Sequence, residues 1–122
     1  MCFCGNSLDY SACCGVYHAG EKFAEDALTL MKSRYTAYVK ANADYILKTT
    51  HPQKVRLHKR ADILSWTKSN KWLKLEIIYA DEQTVEFKAH YFNSKMQLEI
   101  HHERSFFEKI NDKWYYLDAV FF

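Results

Sequence analysis

All four cysteines of the chain fall within its first fourteen residues, MCFCGNSLDYSACC, at Cys2, Cys4, Cys13 and Cys14. No other feature restricts the fold as strongly, because thiols gathered into one short segment must either pair, pack or hold an ion. Two disulfides would suit a small exported domain. The N-terminus, however, lacks the basic start and apolar run of a secretory signal, and cytosolic reductants keep most thiols reduced. Packing cysteines would be scattered through apolar, periodic segments, whereas these sit among Gly5, Asn6, Ser7, Asp9 and Gly15. A metal ion accounts for the clustering. Zn²⁺ takes four thiolates tetrahedrally at about 2.3 Å, and Gly5 and Gly15, each directly after a cysteine, let the backbone curl so that N–H groups face the sulfurs. An iron–sulfur centre and reactive thiols are the other chemistries this quartet admits. Tyr10, between the two cysteine pairs, is placed to close over the site as a lid.

Charge arithmetic points to a structural ion. Four thiolates around a dication leave a charge of minus two, which offsets the formal net charge of +2 on the chain. Such a site has no open position on which to activate water. It binds strongly enough to fold its own segment, since structural zinc contributes about 10 kcal/mol or more to small peptides at neutral pH. If Met1 is removed, Cys2 carries a free α-amine, and His18, four residues beyond Cys14, becomes a substitute ligand.

Composition narrows the remaining classes. With 48% hydrophobic and 16% aromatic residues the chain has material for one well-filled core, which argues against disorder. No run approaches the roughly 18 to 20 apolar residues of a membrane span. The 17 basic and 15 acidic residues are too evenly balanced for a dedicated nucleic-acid binder, and the basic run Lys54 to Arg60 reads as a solvated face. A cytoplasmic protein without membrane or nucleic-acid partners is expected.

The hydrophobic period changes once along the chain. From Glu25 to Lys40, Leu28, Met31, Tyr35, Tyr38 and Val39 form one stripe of an amphipathic helix. Asn42 is placed to cap a second helix, ADYILKTT, with Pro52 marking its end, and Ala61 to Lys68 make a further turn or two. From Trp72 onward the period is two. Leu73, Leu75, Ile77 and Tyr79 make one strand, and Val85, Phe87, Ala89 and Tyr91 the next, joined by a hairpin at Asp81 to Gln83. Gln97 to Lys109 and Trp114 to Phe121 follow, joined through Asn111 and Asp112. Helices first and strands last predict an α+β fold, with a curved antiparallel sheet packed on the long helix.

In the third strand, Leu98, Ile100 and Phe106 mark an inward face. Alternation then places His102 and Arg104 with them, and Glu99, His101, Glu103 and Ser105 opposite. An inward arginine must find an acid or several carbonyls. Asp118, in phase with Trp114 and Tyr116 on the last strand, is the first choice, with Asp44 and Tyr35 as others. Two outcomes stay open: a satisfied ion pair or a bulge that breaks the alternation, and a polar-floored pocket between sheet and helix lined by Tyr35, Tyr91, His102, Arg104 and Asp118. His102 and Asp118 are residue types used in acid–base catalysis, but their spacing demands no chemistry. No catalytic residue is assigned.

The N-terminal segment CFCGNSLDYSACCG resembles the SEC-C motif, a small zinc-binding element also found at the C-terminus of the bacterial protein-export ATPase. Phe3 stands where that motif usually has proline, and Asn6 where it has serine. The resemblance continues through GVYHAG, ALTLMKSRYTAYV, ADYILKTTHP, TVEFKAHY, HERSFF and KWYYLD, which are similar, in order, to the bacterial YchJ-like (UPF0225) family. That resemblance implies a SEC-C zinc motif over residues 1–20 and an NTF2-like, cystatin-type α+β cone over 21–122. It assigns no biochemical role. The SEC-C likeness implies a knuckle that presents Phe3, Leu8, Tyr10 and Val16 to a protein partner, as the motif of the export ATPase looks like a docking tag for a chaperone and the ribosome. The NTF2-like likeness implies the alternative, a small-molecule site or enzyme in the cone. An interaction module with bound Zn²⁺ is the favoured reading.

Overall fold

A computed structural model describes residues 1–122. The cysteine segment forms a turn, a short 3-10 stretch at Tyr10–Ala12 and helix α1 (Cys14–His18). Three helices follow, α2 (Ala27–Val39), α3 (Ala43–Lys48) and α4 (Arg60–Ser69). The chain then runs up and down through β1 (Lys71–Ala80), β2 (Thr84–Phe92), β3 (Leu98–Ile110) and β4 (Lys113–Phe121). These make one antiparallel sheet in the order β1-β2-β3-β4. The α+β class and the order of elements agree with the sequence reading.

Local chemistry sets each boundary. The Asp26 carboxylate accepts from the Thr29 N–H at 2.7 Å and the Asn42 side chain accepts from the Tyr45 N–H at 3.1 Å, so both helices start on side-chain caps. Asp81 folds the first hairpin by accepting from the N–H groups of Gln83 and Thr84. Asn111 and Asp112 both have positive φ, the geometry of a tight hairpin between right-twisted strands. After α3 the chain bonds along β4: the Tyr116 N–H donates to the Thr49 carbonyl and the His51 N–H to the Tyr116 carbonyl. This covers part of an edge that would otherwise offer free backbone groups.

The main core lies between α2 and the concave face of the sheet. Leu30, Met31 and Tyr35 meet Val85, Phe87, Ala89, Phe107 and Trp114 there. A second cluster joins Ala37 of α2 to Ala43, Tyr45, Ile46 and Ile63. No helix is long and apolar enough to cross a membrane.

Three strands run in a different phase from the one expected. In β1, register shifts between Trp72 and Lys74 and between Ile77 and Tyr79 turn Trp72, Leu75 and Ile77 inward and leave Leu73 and Tyr79 exposed. In β3, Leu98 and Ile100 are exposed, while Glu103, Ser105 and Phe107 are buried. The aliphatic pair marks the outer face, and the polar set marks the inner one. In β4, a shift opposite Phe106 and Phe107 breaks the phase after Tyr116, so Asp118 lies across from Phe106 on the outer face. Only β2 keeps its expected phase over its whole length, with Val85, Phe87, Ala89 and Tyr91 buried.

The phase of β3 is directly testable. Phe107→Ala should cost roughly 3 to 5 kcal/mol as a core truncation, and Ile100→Ala within about 0.5 kcal/mol as a surface change, both measured by chemical denaturation. The reverse order of costs would place Ile100 inside.

Candidate metal centre and inner cavity

The four cysteines converge. All are buried, none is in a disulfide, and their Sγ atoms lie within 4.8 Å of one another. Cys4 and Cys13 sulfurs are 3.7 Å apart, close to the roughly 3.8 Å edge of a tetrahedron built on 2.3 Å metal–sulfur bonds. The turn that brings Cys2 and Cys4 together is closed by the Gly5 N–H on the Cys2 carbonyl and the Cys2 N–H on the Asn6 carbonyl. Gly5 takes φ of +99° there, a conformation open to glycine. Gly15 has a different reason: a Cβ would sit 2.7 Å from the Tyr10 carbonyl oxygen and against its ring.

Donors from outside the quartet face the sulfurs. The Asn6 amide donates to Cys13 Sγ at 3.3 Å, and its oxygen is held by the Lys32 ammonium at 3.2 Å. The hydroxyl of Thr36, fully buried on α2, donates to Cys14 Sγ at 3.2 Å. Such groups stabilise negative sulfur and fix ligand direction. The thiols also compete for charge. A hydrogen bond from Cys14 lowers the Cys4 pKa, the same contact together with burial raises that of Cys14, and burial raises that of Cys13. Without a cation, a single thiolate is favoured at the expense of its neighbours. Four can ionise together only around a positive ion.

Tyr10 packs against the quartet, as the lid reading requires. Its hydroxyl lies 2.7 Å from His18 Nδ1, and His18 Nε2 lies 2.8 Å from the Ser33 carbonyl oxygen. A carbonyl only accepts, so Nε2 carries the proton and donates. Burial lowers the His18 pKa and favours the neutral ring, whose Nδ1 then accepts from Tyr10. With both nitrogens engaged, His18 acts as a bridge from lid to α2 and stands outside the sulfur cluster. Phe3 and Leu8 are 49% and 57% exposed beside the cysteines. The Lys40 ammonium lies 4.3 Å from the centre of the Tyr10 ring and 5.6 Å from that of Phe3. Val16 is half-buried.

A cavity of about 240 Å³ opens between α2, α4 and the inner face of the sheet. Tyr35 is the one member of the expected pocket set that lines it. Tyr91 is buried under Trp66 and Trp72, with ring centres 5.6 and 5.0 Å away. His102, Arg104 and Asp118 lie on the outer face. Arg104 finds its acid there in Glu86, donating from Nε and Nη2 to Oε1 at 2.9 and 2.7 Å, while His102 Nε2 meets Oε2 at 2.8 Å. Glu86 faces Arg104 across the β2–β3 ladder, a pairing that needed the register to be found. The polar lining of the cavity is instead Arg34, His58, His101, Glu103 and Ser105. Arg34 carried a sequence signal: it falls three residues after Met31 and four before Tyr38, inside the apolar stripe of α2.

A family profile described as "YchJ, middle NTF2-like domain" matches residues 26–119. A UPF0225 protein of Haemophilus influenzae strain PittGG is 42% identical over 98% of this chain and 77% of its own length. Another, from Photorhabdus laumondii, is 40% identical over 98% and 80%. Among solved structures, a SEC-C motif containing protein from Rhodopseudomonas palustris superposes with a TM-score of 0.90 at 32% identity, covering 98% of this chain and 96% of that one. One from Psychrobacter arcticus gives 0.81 at 30% identity, over 97% and 80%.

The outer-face cluster predicts a pH dependence. His102 and then Arg104 lower the Glu86 pKa, so its contribution to stability is complete above the ordinary carboxylate range and is lost as pH falls through the depressed value. Denaturation midpoints of wild type should therefore fall in acid more steeply than those of Glu86→Gln. Parallel pH profiles would contradict this pairing.

Proposed function

The chain belongs to the UPF0225 family, and on that footing we propose that it is a zinc protein in which Cys2, Cys4, Cys13 and Cys14 hold one structural Zn²⁺. The observation that carries this reading is the meeting of four buried sulfurs with outside donors aimed at them from Asn6 and Thr36. The likeness to SEC-C motif proteins supports it. Bound zinc would supply the positive charge that lets all four thiols ionise, and the thiolates would leave it no open position for substrate. A cytoplasmic setting, where thiols stay reduced, suits the site.

The role proposed for this knuckle is docking to a protein partner. Phe3 and Leu8 stand exposed beside the cysteines, Phe3 with its ring against Tyr10 and under the Lys40 ammonium, and an aromatic side chain held in place binds with little ordering cost. A second reading, supported by the inner cavity and its buried polar groups, makes the cone a small-molecule site. The residues that would serve it are those of the observed lining.

Two measurements test these readings. Protein purified without added metal should contain one zinc per chain, and Cys13→Ser should lose it; metal-free wild type with freely titrating thiols would refute the zinc site. The double variant Phe3→Ser, Leu8→Ser should keep its zinc and lose binding to any protein captured by wild type and shown to contact the knuckle by cross-linking. Unchanged binding by that variant would refute docking through these two side chains.

A further inference from the structure

Two opposite charges line the inner cavity without meeting. Arg34 is 7% exposed and Glu103 is 8% exposed, yet no ion pair joins them. Glu103 is already satisfied on its own strand: Ser105 Oγ donates to one carboxylate oxygen, and His101 Nε2 lies 2.9 Å from the other. Arg34 is held by neutral groups alone. Its hydrogen bonds to the Ile46 carbonyl and to the Thr49 and Thr50 hydroxyls, at 2.9, 2.7 and 3.3 Å, all leave from Nη1. The guanidinium carbon lies 4.6 Å from the centre of the Tyr116 ring. Nη1 thus anchors the group, and on the cavity side the guanidinium has the neutral Tyr38 hydroxyl as a further neighbour. A buried cation with no carboxylate in direct contact is costly, and a planar carboxylate is the anion whose geometry a guanidinium fork matches.

The rest of the lining selects the body of the ligand. Tyr35, Trp66, Trp72, Phe87 and Phe121 supply flat apolar surface, and Trp66 and Phe121 are partly exposed at the mouth. A volume of about 240 Å³ falls below the roughly 300 to 1,000 Å³ usual for drug-sized ligands. It suits a single substituted ring. We propose that the cavity binds a one-ring aromatic carboxylate, with the carboxylate on Arg34 and the ring among Trp66, Trp72 and Phe87. This rests on the reading of the cone as a small-molecule site.

The test is a titration of the full chain with benzoate, 4-hydroxybenzoate and 4-aminobenzoate, followed through the indole N–H signals in NMR. Trp66 and Trp72 line the cavity, whereas Trp114 lies outside it and donates to the Glu25 carbonyl, so its signal serves as the folding control. At least one acid should shift Trp66 and Trp72 saturably in the millimolar range, leave Trp114 in place, and bind at least tenfold more tightly than its neutral amide. Acetate should produce no such shift. Arg34→Met should abolish the preference for acid over amide; if its Trp114 signal shows that it has not folded, the acid–amide comparison on wild type decides alone. Equal binding of acid and amide would overturn the carboxylate assignment and leave a small-molecule cavity standing. No shift with any of these compounds would overturn both.

Discussion

Four buried sulfurs within 4.8 Å of one another impose the constraint on which the N-terminal half depends, because they cannot all carry charge without a cation between them. Helix α2 is where that constraint reaches the rest of the molecule. Its consecutive residues Ser33, Arg34, Tyr35 and Thr36 each serve a different neighbour. The Ser33 carbonyl holds His18 and through it the Tyr10 lid, Arg34 ties the end of α3 to the cavity, Tyr35 enters the main core, and Thr36 supports Cys14. The knuckle is therefore packed onto the helix that also forms one wall of the cavity. Without a cation, one thiolate and its protonated neighbours would face Thr36, which adjoins Tyr35 and stands two residues from Arg34, so metal content and cavity geometry share a physical link.

Much of this was legible in the sequence because the governing signals are local. Clustered thiols, a cap at Asn42, a period of 3.6 giving way to one of two, and turn residues at Asn111 and Asp112 each act over a few positions. Strand phase is set at longer range. Leu98 and Ile100 suggested an inward face, but the sheet leaves that pair exposed on its convex side, and the inner side of β3 carries Glu103 and Ser105 because they satisfy one another. Bulges in β1 and β4 added two further changes of phase.

The lining of the cavity depends on the phase of β3. Once β3 is turned over, His101, Glu103 and Ser105 replace His102 and Arg104, and the arginine that matters inside comes from α2. The requirement that an inward arginine find partners holds inside the cone. It applied to Arg34, whose partners are a carbonyl and two hydroxyls in place of an acid. Arg104 found its carboxylate on the outer face in Glu86, from a neighbouring strand that pairs with it only in the folded register.

The measurement that bears most directly on the central claim is X-ray absorption at the zinc edge of protein purified as it is expressed. The account predicts a first shell of four sulfurs at about 2.3 Å with no nitrogen or oxygen ligand. A shell of three sulfurs and one nitrogen would contradict the assignment of Cys2, Cys4, Cys13 and Cys14 as the complete ligand set, and an absence of zinc would contradict the metal centre itself.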